Sequence, residues 1–123
     1  MQLMMEVQIN NQEFKLIFDI GSSETWVASQ DVKCINPRTG LEAAQSECKF
    51  GNLFLHDASL EPSRLVFDLK YSHDSWVTGN VFHLDMSSGP YQPFRQLIGI
   101  ANRASWESDE ISSGVCGFGF PSL

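Results

Sequence analysis

The sequence has few basic residues for its length. Its 123 residues contain 8 Lys and Arg against 15 Asp and Glu, which gives a formal net charge of −7, and the basic residues do not cluster. Binding to the phosphate backbone of a nucleic acid requires a concentrated positive surface. We therefore expect no nucleic-acid partner. The acidity is most simply a source of solubility, although a chain with few ammonium groups also suits an acidic medium.

Long apolar runs are missing as well. No stretch approaches the roughly 18 residues that a membrane helix needs, so no membrane partner is expected. Residues 1–5 are too short and too polar to be the core of a signal peptide, which spans about 7–15 residues. The sequence also has no Asn-x-Ser/Thr glycosylation motif, so it carries no independent sign of secretion.

Several enzyme motifs are absent too. The three histidines, His56, His73 and His83, show no HExxH spacing and no shared helical face, so we predict no metal and no cofactor. Gly-x-Ser-x-Gly and glycine-rich phosphate loops do not occur. A nucleophilic Cys116 with a histidine base would rest on residue types alone. Zinc hydrolases, serine hydrolases and nucleotide-binding enzymes are therefore discounted.

What the sequence does have is alternation of apolar and polar residues, which predicts an all-β chain of antiparallel strands. Turns are predicted at Asn10-Asn11 and at 88–90. There is no repeat and no sustained helical period, and 123 residues make one domain or part of one. The predicted strands cover Met5–Ile9, Phe14–Asp19, Leu65–Tyr71, Phe82–Met86 and Phe94–Ile100.

Alternation disappears from Ser29 to Pro62, where Asn, Pro and Gly residues predict a long loop. Cys34 and Cys48 lie in this region without the further ligands of a zinc site, so a disulfide is one interpretation and two free thiols are the other. Cys116 lies in an apolar run, where a thiol behaves as a small buried hydrophobe.

A second polar connection is predicted from Asn102 to Ser113. Its acidic residues, Glu107, Asp109 and Glu110, are most simply a solvated surface. We expect no chemistry from them.

One carboxylate has an unusual setting. The second predicted strand leads through Phe18 directly to Asp19, which is followed by the small residues Gly21 and Ser22. A carboxylate in apolar surroundings has to be hydrogen-bonded or take up a proton. The setting of Asp19 therefore suggests a deliberately tuned group, and Ser22 is the expected hydrogen-bond donor to it.

The stretch FDIGSSETWV, residues 18–27, resembles the active-site loop of the pepsin-like aspartic endopeptidases of fungal type. The resemblance implies that Asp19 is catalytic and that Gly21 and Ser22 support it. The family has a Thr after the Asp, whose hydroxyl ties this loop to the matching loop of a second lobe. That residue is Ile20 here, which cannot donate a hydrogen bond, so we expect activity to be weakened without loss of the fold.

Two further stretches are similar to the same family. YSHDSWVTGNV, residues 71–81, resembles the flap hairpin, which implies that Tyr71 overhangs the acid, that Ser72 and His73 form the tip, and that Trp26 anchors Tyr71. Asp74 and Ser72 replace glycines, so a stiffer tip is expected. The alternative is an ordinary polar hairpin, with a tryptophan and a tyrosine that never meet.

SGVCGFGFPSL, residues 113–123, resembles the family's second signature, which passes beneath the active-site loop. Ser113 stands where Asp is usual. The resemblance spans Val7 to Leu123, so it implies a pepsin-like acid protease fold, with residues 1–123 as a partial amino-terminal lobe and the carboxy-terminal lobe absent.

The family hydrolyses peptide bonds with two carboxylates that share one proton, one acting on water and the other on the carbonyl. This chain has one candidate, Asp19. The resemblance therefore implies a polypeptide substrate and a second carboxylate from the missing lobe or from a second chain, and the 123 residues alone are expected to be inactive. It also implies a secreted, extracellular or vacuolar location, without the family's signal and pro-segment in this chain, and it favours a Cys34–Cys48 bridge.

Two alternatives stay open. A non-catalytic relative would keep the cleft as a peptide-binding or inhibitor-binding surface, which the departures at Ile20, Ser72, Asp74 and Ser113 favour. A homodimer in the manner of the retroviral proteases would contribute one aspartate per chain, although the missing Thr and the long loops count against it.

Overall fold

The structure is a computed structural model that describes residues 3–71, 74–90 and 92–117. These residues form one sheet of eight strands and one short 3₁₀ helix, Gln45–Cys48, which confirms the all-β prediction. No helix among them is long and apolar enough to cross a membrane. The strands are β1 (Met4–Ile9), β2 (Gln12–Asp19), β3 (Trp26–Ile35), β4 (Glu42–Ala43), β5 (Val66–Lys70), β6 (Trp76–Ser87), β7 (Phe94–Ser105) and β8 (Gly114–Gly117).

The strand order is β1-β2-β8-β3-β7-β6-β5, with β4 paired to β3. The strand β1 also pairs with β6, so the sheet curls back on itself. Two neighbouring pairs, β2 with β8 and β3 with β7, are parallel. The sequence predicts antiparallel strands throughout, and this detail is wrong because alternation fixes which face a side chain takes but not the direction of a strand's neighbour.

The first hairpin is as predicted. Val7 on β1 lies opposite Phe14 on β2, and both are buried. Asn10 and Asn11 have φ of 50° and 65°, the left-handed values that a tight two-residue hairpin turn needs and that asparagine tolerates. The hairpin delivers Asp19 to the end of β2.

The core consists of two apolar clusters on the faces of the curled sheet. One cluster joins the inward residues of β1, β2, β6 and β7, including Leu16, Phe82 and Ile98. The other is built around the fully buried Trp26. The period-two pattern predicts most of these positions, since inward and outward residues alternate along a strand.

Two strands run through segments that the sequence predicts to be connections. The predicted loop from Ser29 is wrong as far as Ile35, because β3 runs through it, and the predicted connection from Asn102 is wrong as far as Ser105, because β7 continues there. Both strands lie in the middle of the sheet and pair on both edges. Tertiary pairing thus overrides weak local propensity at these polar segments.

The cysteines behave as the disulfide interpretation requires. Cys34 on β3 is bonded to Cys48 in the 3₁₀ helix, with 5.8 Å between the Cα atoms. This separation lies within the range of about 4.4–6.8 Å that disulfides require. Cys116 is free and buried, as predicted.

Asp109 is more than a solvated acid. Its Oδ1 accepts hydrogen bonds from the backbone N–H groups of Ile111 (3.0 Å) and Ser112 (2.7 Å). The bond from Ser112 is the main reason that the pKa of Asp109 falls from 3.8 to about 2. The expected solvated surface is therefore confirmed, because Glu107, Asp109 and Glu110 are all exposed, and Asp109 in addition organises the turn before β8.

Candidate active site

The loop after Asp19 rests on β8. Asp19 lies beside Gly117 in the parallel pairing of β2 and β8. A Cβ atom on Gly117 would fall 2.5 Å from the carbonyl oxygen of Ser22 and 2.6 Å from that of Glu24, so only glycine fits. The described part of the second signature thus passes beneath the loop as predicted, and residues 118–123 lie outside the described residues.

Thr25 ties the far end of this loop to β8. Its Oγ1 accepts a hydrogen bond from the Gly117 N–H (3.3 Å) and donates to Cys116 Sγ (3.7 Å). Burial raises the pKa of the Cys116 thiol, so a nucleophilic thiolate is disfavoured there. The sequence did not single out Thr25, because its position follows from the pairing of two distant strands.

The carboxylate of Asp19 is held by the backbone. Its Oδ1 accepts a hydrogen bond of 2.9 Å from the Gly21 N–H. The hydroxyl of Ser22 instead exchanges hydrogen bonds with the backbone of Glu24, at 3.3 and 3.4 Å. The donor to Asp19 is therefore the backbone N–H of Gly21 and not the expected hydroxyl of Ser22. The chain turns sharply after Asp19, which brings the amide of Gly21 within reach of the carboxylate.

Ile20 lies beside this acid with its side chain in solvent. It is 73% exposed, and Leu3 nearby is also exposed. Ile20 therefore makes little contact within the described part of the chain. The resemblance implies that a residue at this position faces another lobe, and this stays a prediction.

Tyr71 and Trp26 meet, as the flap interpretation predicts. The Trp26 Nε1–H donates a hydrogen bond of 2.9 Å to Tyr71 Oη, so the interpretation in which they never meet is wrong. Burial raises the pKa of Tyr71, the bond from Trp26 lowers it, and the negative charge of Asp19 raises it further. The tyrosine is therefore within electrostatic range of the candidate acid.

A second tryptophan completes this group. The ring of Trp106 meets Trp26 edge to face at 5.2 Å and Tyr71 at 5.0 Å between ring centroids. Such perpendicular pairs stabilise beyond their buried area. Sequence reasoning missed Trp106 because it lies in a polar connection without periodicity. A large aromatic residue within such a segment was the signal that could have found it.

Asp19, Ile20, Tyr71 and Trp106 line one cavity of about 440 Å³, the Asp19 cleft. Its other lining residues are Leu3, Ile17, Phe18 and Val115. A single carboxylate among apolar and aromatic side chains is the composition expected of a small-ligand or substrate site. A larger cavity of about 530 Å³ lies along the first hairpin, but it is lined by none of the predicted site residues.

The flap tip is described only in part. The predicted tip residues Ser72 and His73 lie outside the described residues. The Tyr71 N–H donates to the Ser75 carbonyl oxygen at 2.8 Å, which closes the hairpin base. Asp74 has a φ of 63°, a conformation that glycine adopts without strain and that aspartate tolerates. The expected stiffness of the tip stays a prediction.

One other polar cluster has hydrolase-like residues. Ser29 Oγ lies 2.8 Å from His56 Nε2 and is also hydrogen-bonded to Asp31. The Asp31 carboxylate lies 3.8 Å from the same ring nitrogen. A Ser-His-Asp triad needs the acid on the other nitrogen of the ring, so this cluster joins the 54–56 segment to β3 and does not form a nucleophile. No group of three potential metal ligands occurs within the described residues.

Comparison with known proteins agrees with this geometry. Residues 3–123 match the family described as Eukaryotic aspartyl protease. The chain belongs to this family. It is 32% identical over 118 residues to a "Probable aspartic-type endopeptidase" from Aspergillus fumigatus, covering 95% of this chain and 27% of the relative. It is 30% identical over 115 residues to Candidapepsin-4 from Candida albicans, covering 92% of this chain and 26% of the relative.

A solved structure shows the same fold. The crystal structure of the aspartic proteinase from Irpex lacteus superposes with a TM-score of 0.63 at 16% identity, covering 94% of this chain and 27% of that one. The predicted pepsin-like fold and the resemblance to fungal aspartyl proteases are therefore confirmed. The chain spans about a quarter of the length of the relatives that it matches.

Proposed function

We propose that this aspartyl protease chain supplies one catalytic aspartate, Asp19, and the flap of a two-aspartate endopeptidase. The observation that carries the proposal is the hydrogen bond from Trp26 to Tyr71 at the edge of the cleft that contains Asp19. It brings together residues 45 positions apart in two separate motifs. A core tryptophan and an ordinary strand tyrosine would have no reason to meet beside a carboxylate.

The second carboxylate comes from outside this chain. Residues 1–123 serve as a partial amino-terminal lobe, and the missing carboxy-terminal lobe or a second chain provides the partner acid. Two carboxylates that share a proton divide the work, since the ionised one takes a proton from water while the protonated one donates to the peptide carbonyl. Asp19 alone cannot hold both states at once, so the chain by itself is inactive.

Tyr71 covers a polypeptide substrate bound in the Asp19 cleft. The indole N–H of Trp26 can only donate, so Tyr71 Oη is the acceptor of their bond and its own proton remains available. The raised pKa keeps this hydroxyl protonated over the acidic and neutral range. Ser72 and His73 complete the flap on the substrate side in this proposal.

The second candidate function is a non-catalytic module that binds a peptide or an inhibitor. The observation that favours it is the apolar, 73% exposed Ile20 at the position where the family's hydroxyl aligns the two lobes. The cleft and its aromatic side chains would still bind an extended peptide. Catalysis would be lost because small misplacements at the reacting centre cost large factors in rate.

A secreted, extracellular or vacuolar location fits this function. One relative is named Secreted aspartic protease 4 from Candida albicans and is 30% identical over 115 residues. The Cys34–Cys48 disulfide persists in the oxidising conditions outside the cytosol. Both observations support the same compartment.

The proposal is tested by joining the chain to a carboxy-terminal lobe that carries a second aspartate. We expect the joined protein to cleave a denatured protein substrate at about pH 3–5, where the carboxylate pair shares one proton. Asp19→Asn should abolish the activity, and Ile20→Thr should raise it. Asp68→Asn, which changes an exposed acid on β5, is the matched control and should have no effect.

The same joined protein separates the two candidate functions. Tight binding of a transition-state-mimicking inhibitor without any cleavage, in both the parent and the Ile20→Thr protein, would support the binding module. Activity that survives Asp19→Asn would contradict both, because the assigned residue would then have no role in the cleft.

A further inference from the structure

The strand β5 forms one end of the sheet. Its residues Val66–Lys70 pair with β6 on one side, and no strand among the described residues pairs with the other side. Leu65 and Val66 at its start are 54% and 73% exposed. An exposed edge strand with apolar side chains and without proline is a template for pairing with another strand. We name its open side the β5 edge.

The backbone groups that point out of the β5 edge follow from the hydrogen bonds on its other side. The Tyr71 N–H donates to the Ser75 carbonyl oxygen at 2.8 Å. The Val81 N–H donates to the Leu65 carbonyl oxygen at 3.0 Å, so the odd-numbered residues of this segment bond toward β6. Bonded and non-bonded pairs alternate along an antiparallel ladder. The N–H and C=O groups of the residues in between therefore point outward, and these residues are Val66, Asp68 and Lys70.

Two of the side chains at the β5 edge carry opposite charges. Asp68 and Lys70 are exposed and lie on the same face of β5. Neither belongs to an ion pair within the part of the chain that the structure describes. The residues opposite them on β6, Thr78 and Trp76, are uncharged. The edge thus presents one anion and one cation, two residues apart, beside outward-pointing backbone groups.

A second copy of the same edge complements this pattern in one register. Most soluble homo-oligomers close around a two-fold axis, and two identical edge strands then run antiparallel. An axis through Asp68 would place the two Asp68 carboxylates opposite each other, and an axis through Phe67 would place Lys70 opposite Arg64; both arrangements are repulsive. An axis through Leu69 places Asp68 of each copy opposite Lys70 of the other. Both of these pairs can exchange backbone hydrogen bonds.

We propose that the chain forms a homodimer in which two β5 edges pair antiparallel about Leu69 and extend the sheet across both copies. The same register sets Tyr71 of one copy opposite Phe67 of the other, so the contact reaches the base of the flap. The paired strands are short, which places the interface in the weak class below about 1,200 Å². The dimer is independent of the proposed peptidase, because neither Asp68 nor Lys70 lines the Asp19 cleft.

Sedimentation equilibrium of the disulfide-bonded 123-residue chain at neutral pH tests the assembly. We expect a reversible monomer–dimer equilibrium with a Kd of about 0.1 mM, as suits a small interface. Amide hydrogen exchange gives the location of the contact. The N–H groups of Asp68 and Lys70 should become protected as the concentration rises. The Leu69 N–H should be protected at every concentration, because it points toward β6 within the chain.

Charge reversal tests the register. Asp68→Lys and Lys70→Asp each turn both cross-strand pairs into like-charge pairs, and each should raise the Kd by about tenfold. An equimolar mixture of the two variants should form a heterodimer with a Kd close to that of the parent, because opposite charges face each other again. Asp85→Lys and Arg95→Asp make the same charge changes on β6 and β7 and should leave the Kd unchanged.

Several results would overturn the proposal. One is a chain that stays monomeric up to about 1 mM, well above the expected Kd. Another is a dimer that neither charge reversal weakens, since its interface would then lie elsewhere. A third is a mixture of the two variants that stays monomeric although each variant retains the parent's amide spectrum. Protection of the Asp68 amide only after an unrelated extended peptide is added would assign the edge to a foreign strand and not to a second copy.

Discussion

The Trp26 indole N–H donates a 2.9 Å hydrogen bond to the Tyr71 hydroxyl, and this bond connects β3, directly after the active-site loop, to the base of the flap. Trp106 packs perpendicular to both rings. The position of the flap relative to Asp19 therefore depends on three aromatic side chains from three separate segments. Removing any one of them should loosen the flap.

The bond should appear as a coupling between its two partners. Trp26→Phe and Tyr71→Phe each remove one side of it, and each should destabilise the chain by about 1–3 kcal/mol because a partly buried group is left unpaired. In a double-mutant cycle by urea unfolding we expect a coupling energy of about 0.5–1.5 kcal/mol. Strictly additive effects would show that the two groups do not interact.

Tyr71 should ionise at a higher pH than an ordinary tyrosine. Its pKa is raised first by burial, so the folded chain retains this proton at a pH where the unfolded chain releases it. The contribution of Tyr71 to the free energy of unfolding is thus fully present below about pH 10, the ordinary pKa of tyrosine. It is lost as the pH rises through the raised pKa of Tyr71 in the folded chain. Ultraviolet titration of a Tyr91→Phe variant, which leaves Tyr71 as the remaining tyrosine, should show a midpoint above that value.

The matching stability measurement uses Tyr71→Phe. Its unfolding free energy should fall less steeply between about pH 9 and 11 than that of the parent chain, since the shifted group has been removed. Identical alkaline profiles for the two proteins would contradict the burial of the Tyr71 hydroxyl.

Asp109 should account for part of the stability that the chain loses at low pH. Its pKa is lowered from 3.8 to about 2, so its contribution is present above about pH 4 and is lost as the pH falls through about 2. Asp109→Asn should lower stability by about 0.5–1 kcal/mol at pH 6, a value reduced for its solvent exposure. The difference between the two proteins should shrink toward pH 2, and a constant difference would be evidence against the shift.

Ser113 is a site where a substitution should stabilise the chain. It is 0% exposed, and its Oγ has no hydrogen-bond partner in the structure of the described residues. Ser113→Ala removes this unpaired hydroxyl and should raise the unfolding free energy by up to about 1 kcal/mol. Ser112→Ala is the contrast, because Ser112 Oγ bonds to Asp109, and it should destabilise. A loss of stability in Ser113→Ala would mean that its hydroxyl has a partner.

Much of the fold was predictable from side-chain type alone. Strand positions such as Val7, Phe14 and Phe82 follow from alternation, and Asn10-Asn11 follows from turn chemistry. The parallel pairings were not predictable, because they join residues about 70 to 100 positions apart, as with Cys34 and Ala104 or Phe18 and Cys116. Local patterns carry no information about such partners.

The residues of the site were predictable where they belong to a sequence motif, and they were not predictable elsewhere. Asp19, Trp26 and Tyr71 belong to family motifs, and they do line or border one cleft. Gly21 replaced Ser22 as the donor to Asp19, because backbone geometry decides which group reaches a carboxylate. Trp106 and Thr25 entered only through tertiary contacts.

The most direct test of the central claim is a peptidase assay of the isolated 123-residue chain at about pH 3–5, with its mass measured by sedimentation under the same conditions. A lone Asp19 has no second carboxylate to split the protonation states that the reaction needs. We therefore predict no cleavage of a denatured protein substrate by the monomer. Robust cleavage by a sedimenting monomer, blocked by a transition-state-mimicking aspartic protease inhibitor, would contradict the account.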